Sequence, residues 1–88
     1  MLIVDKKENL EKLKGFGFKP KYNEDTGEIY KYVCEKEVTL MTIIKGVYQR
    51  GQYDYVEYWK VIFEEKCNET VELLYDLINA GIIKKDKE

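Results

Sequence analysis

Apolar positions along the chain follow two spacings, helical at the ends and alternating between them. Leu10 and Leu13 share one helical face behind Asp5 and Glu8, which are spaced as an N-cap and its third-position partner. With Gly15 as the stop, this pattern predicts a helix over 6–14. A second helix is predicted after Asn68, with Val71, Leu74, Leu77 and Ile78 on one stripe, Leu73 beside it, and Gly81 as its end. Between the helices the period falls to two, the mark of strands. Phe16, Phe18 and Tyr22 alternate with Gly17, Lys19 and Lys21, and Tyr30, Tyr32 and Cys34 alternate with Ile29, Lys31 and Val33. A third strand runs from Val38 to Tyr48, and a fourth occupies the ring-rich stretch QYDYVEYWKVIF. Gly27, the charged turn Glu35-Lys36-Glu37 and Gly51 mark the three reversals.

The turns set the expected registers, and a slip of one residue would exchange the faces of a strand. Closure at Tyr22 and Glu28 puts Phe18 opposite Tyr32; closure at Cys34 and Val38 puts Tyr32 opposite Leu40. Closure at Gln49 and Gln52 puts Leu40 opposite Val61 and Gly46 opposite Tyr55, where a ring can cover the bare glycine. The ring-rich side, including Phe18, Tyr32, Leu40, Ile44, Trp59 and Val61, is then the core beneath the helices, and Glu57 interrupts it. The expected fold is α+β and two-layered: a four-stranded antiparallel meander with an N-terminal and a C-terminal helix on one face, in one domain spanning residues 1–88.

This arrangement leaves the other sheet face open. Met41, Ile43, Val56, Tyr58 and Ile62 are expected there as an exposed apolar patch, the composition of a partner-binding surface. Lys19, Lys21, Lys31, Lys45 and Lys60 are expected to ring it, which gives the runner-up reading, a nucleic-acid face. An alternative is that Leu2-Ile3-Val4 or Ile82-Ile83 adds an edge strand or lies over the patch as a lid.

Composition narrows the chemistry. Aromatic residues make up 14% of the 88 residues, so a few large rings supply much of a small core. The formal net charge of −2 argues against bulk attraction to polyanions, yet residues 1–22 carry six Lys against three acids, so any basic surface is local. With no His and no Ser, neither a Ser-His nor a Cys-His arrangement exists, and no imidazole can bind a metal. Cys34 and Cys67 stand alone, without the CxxC spacing of metal or redox sites. Neither metal nor cofactor is expected. The run Met1 to Val4 is too short for a signal peptide or a membrane span, so a cytoplasmic, membrane-free location is expected.

The stretches LEKLKGFGF, YNEDTGEIYKY and LLYDLINAGIIKK are similar to short uncharacterised proteins encoded by phages and prophages of low-GC Gram-positive bacteria. That resemblance implies an accessory, mobile-element origin and carries no active residue across. The order helix, strands, helix is also similar to double-stranded-RNA-binding domains, which bind with a lysine cluster at the start of the last helix. Here that position holds Asn68, Glu69 and Glu72, which would repel phosphate. The expected function is a non-enzymatic protein-interaction module, self-associating or binding a protein partner through the open sheet face.

Overall fold

The computed structural model describes residues 1–86. Strands β1 (Leu2–Val4), β2 (Phe18–Tyr22), β3 (Ile29–Glu35), β4 (Thr39–Gln49), β5 (Tyr55–Phe63) and β6 (Ile83–Lys85) form one sheet in the order β2-β3-β4-β5-β1-β6. Every neighbouring pair is antiparallel. A 3₁₀ helix (Lys7–Phe16) follows β1, and α1 (Asn68–Asn79) precedes β6. The four-stranded meander with helices at both ends is thus corrected: among the described residues the sheet has six strands, and the order of elements runs from one strand to another.

Both added strands come from the ends of the described chain, where Leu2-Ile3-Val4 and Ile83-Lys84-Lys85 extend the sheet edgewise instead of forming a lid. β1 lies between β5 and β6, and bonds from Asp5 N–H to the Ile82 carbonyl (2.8 Å) and Asp86 N–H to the Met1 carbonyl (2.9 Å) close its ladder. The outer strands are poor templates for further pairing, since β2 holds Pro20 among lysines and β6 is short with Lys84 and Lys85.

The first helix departs from the α form at its start. Asn9 donates its backbone N–H to the Lys6 carbonyl (3.1 Å), three residues back, and its side-chain amide takes the Asp5 carbonyl that an α-helical register would have used. The Asp5 carboxylate caps nothing; it pairs with Lys84 at 3.1 Å. The stop is Gly17, at φ 93°, and not Gly15. α1 lies near its expected span but is rotated: Thr70, Leu73 and Leu77 are buried, while Val71 and Ile78 are about half exposed.

Two registers differ by an odd number of residues from those the turns predict. Tyr32 faces Ile43 rather than Leu40, because Leu40 is the extra residue of a bulge between the pairs Cys34–Met41 and Glu35–Thr39. Leu40 and Met41 are therefore both buried. At the third turn, Arg50 grips Asp54 through its backbone N–H (2.8 Å) and a two-pronged guanidinium contact, so Gln49 faces Tyr55 and not Gln52. The two slips cancel in β5, where Trp59 and Val61 still point inward, but they turn β4 over.

The core is a single cluster on one side of the sheet. Phe18, Tyr32, Cys34, Ile43, Trp59 and Val61 meet Leu10 and Leu13 of the 3₁₀ helix and Leu73 and Leu77 of α1. The Tyr32 and Trp59 rings stand 5.5 Å apart and tilted, a favourable aromatic geometry.

Candidate functional site

The open face follows from that parity. Residues opposite one another across β4 and β5 include Ile44 with Lys60, Gly46 with Tyr58 and Tyr48 with Val56, all on the side away from both helical segments. Val33 of β3 lies opposite Thr42, and Thr42 opposite Ile62, which extends the surface. Val33, Ile44, Val56, Tyr58 and Ile62 are each half-buried, so the face is apolar without being sealed.

Of the expected partner-binding residues, Val56, Tyr58 and Ile62 lie on this face. Met41 and Ile43 do not. Both are 0% exposed in the core, because the Leu40 bulge turns β4 over and brings Ile44 outward in their place. Of the expected basic residues, Lys19, Lys21, Lys31 and Lys60 share the open face, while Lys45 falls on the Trp59 side and forms a 3.1 Å ion pair with Glu57. The same pair explains Glu57: it sits beyond the helices, with a cationic partner, and not in the core.

The open face also contains residues that the sequence pattern missed. Ile3 reaches it because β1 pairs with β5 at Lys60. Past Ile44 and Lys60, β4 and β5 have no further pairing with β3 or β1 and continue as a two-stranded arm. On this arm the Tyr48 and Tyr58 rings are 5.8 Å apart. Tyr58 lies directly on Gly46, where a Cβ would come within 2.5 Å of its ring, so glycine is the residue that lets the ring lie flat. Met1, Ile3, Tyr48, Val56 and Tyr58, with Glu57 and Asp86, line a concavity of about 440 Å³. Tyr53 at the arm tip is 86% exposed.

The two thiols differ. Burial pushes the Cys34 thiol up, with Lys36 opposing, whereas the hydrogen bond with Thr70 pulls Cys67 down at the start of α1; the sulfur and the Thr70 hydroxyl are 3.4 Å apart. Among the described residues no group of three or more His, Cys, Asp and Glu is placed to hold a metal ion, and no helix is long and apolar enough to cross a membrane. Set against known proteins, the chain has no significant match to a family model, a curated protein or a solved structure.

Proposed function

We propose that this protein is a non-enzymatic interaction module that binds another protein through the open face of its sheet. The observation that carries this reading is the aliphatic and aromatic surface of Ile3, Ile44, Val56, Tyr58 and Ile62 on the side opposite both helical segments. Surfaces of this kind on small soluble domains mark contact sites, and a tyrosine pair beside aliphatic residues supplies large contact area at low entropic cost. An accessory role on a mobile element suits so small a binder.

Nucleic acid is the weaker reading. Lys45 is held by Glu57, the one Arg of the chain is held by Asp54, and the middle of the face presents Val33, Ile44 and Ile62 where a single-strand binder would present stacking rings. The test is selection of binders from a random peptide library, followed by mapping of amide shifts. Peptides that move Ile44, Val56, Tyr58 and Ile62 support the reading, and binders that map only to other surfaces refute it.

A further inference from the structure

Five adjacent pairings place Lys21, Lys31, Ile44, Lys60, Ile3 and Lys84 in one straight row across all six strands of the open face. At about 4.8 Å per strand the row is about 24 Å long. Lys21 and Lys31 are directly opposite one another, an arrangement that costs stability, and the Lys31 contact with the Tyr30 ring, 5.5 Å from its centroid, partly offsets it. Among the described residues, Lys21, Lys31 and Lys60 have no acidic partner, while Lys84 is shared with Asp5. The acids that share the cleft of Lys21 and Lys31 are Glu35 and Glu64, at the far end of β3 and just past β5, and Glu35 is engaged by the Thr39 hydroxyl at 3.2 Å.

From this row we propose that the occupant of the open face is an amphipathic helix of a partner protein, laid across the strands, whose contact stripe alternates carboxylates with aliphatic side chains. A helix rises about 5.4 Å per turn, close to the strand spacing, so it presents about one side chain per turn to each strand. Carboxylates then meet Lys31, Lys60 and Lys84, and aliphatic residues between them meet Ile44 and Ile3. A second copy of this chain offers the row no acid: in the same order it sets each lysine against itself, and in reverse order it sets Lys21 against Lys84 and leaves Lys31 and Lys60 against Ile3 and Ile44, so charge complementarity selects an acidic partner over self-association. The inference rests on the open face being a protein-binding surface and adds the chemistry of what binds.

The test uses the full chain and three defined probes: a helical peptide with Glu and Leu alternating turn by turn along one stripe, its Lys-for-Glu twin, and single-stranded oligothymidylate. Binding of the acidic peptide should shift the amides of Lys31, Ile44, Lys60 and Ile3 and weaken with salt. The double variant Lys31→Glu/Lys60→Glu, altered only in side chains at the surface, should lose at least about tenfold in affinity for the acidic peptide and gain affinity for the Lys twin. If the Lys twin binds the native face as well as the acidic peptide does, the charge inference fails while the protein-binding reading stands. If neither peptide moves these amides, or only the oligonucleotide does, both fail.

Discussion

At the scale of single residues, three local features carry measurable consequences. Lys6 is the only described non-glycine residue at positive φ, at 68° with ψ 133°, a conformation costly for a side chain with a Cβ. Lys6→Gly is expected to raise unfolding free energy by about 1 kcal/mol, read as a higher denaturant midpoint at unchanged slope. Gly46 carries the opposite constraint: in Gly46→Ala the Tyr58 ring must swing away. The ring-current shift of the glycine protons, expected in the native protein, should vanish in Tyr58→Ala. The thiols give the third contrast, since Cys67 is only half-buried with a lowered pKa and Cys34 is buried with a raised one. Iodoacetamide at neutral pH should modify Cys67 in the native protein and leave Cys34 untouched until the chain unfolds.

At the scale of elements, the decisive comparison is between neighbours on β4. Ile43→Lys buries an unpaired charge and should cost roughly 4 kcal/mol, enough to unfold so small a domain, whereas Ile44→Lys should fold normally. Thermal melts that rank the two the other way would overturn the assigned faces. Lys21→Glu turns a like-charge cross-strand pair into an attractive one and should stabilise by about 0.5 kcal/mol. The same strand shows where the sequence is legible. Periodicity located four of the strands and placed Phe18, Tyr32, Trp59 and Val61 inward, because alternation survives an even slip or two cancelling odd ones. It lost β4, because a bulge leaves no mark in a run like Leu40 to Ile44, where every residue but Thr42 is apolar. The face of Val56, Tyr58 and Ile62 was legible for the same reason that of Met41 and Ile43 was not. Ile3 and β6 were hard to read because three residues are too few to show a period, and Asn9 diverted the first helix through a side-chain bond that helix patterning does not weigh.

At the scale of the whole molecule, the sheet is covered on one side and bare on the other, and its principal extents are 43 × 33 × 21 Å. Its stability should depend on alkaline pH through the core. Burial raises the Tyr32 hydroxyl above its ordinary pKa, with Tyr22 and Glu11 adding to the effect, and burial also raises Cys34. Both groups hold their protons more tightly folded than unfolded, so the unfolded chain releases protons first as pH rises. The stabilisation is complete below the ordinary thiol and phenol ranges and declines as pH climbs through them, which denaturant titrations at successive pH values will read. β1 sits between β5 and β6, so it is synthesised ahead of both its partners and stays unpaired until β5 has been made. A ribosome-bound intermediate that has completed β2 to β4 must therefore hold Leu2-Ile3-Val4 in reserve, and β1 joins the sheet only after Phe63 has left the exit tunnel.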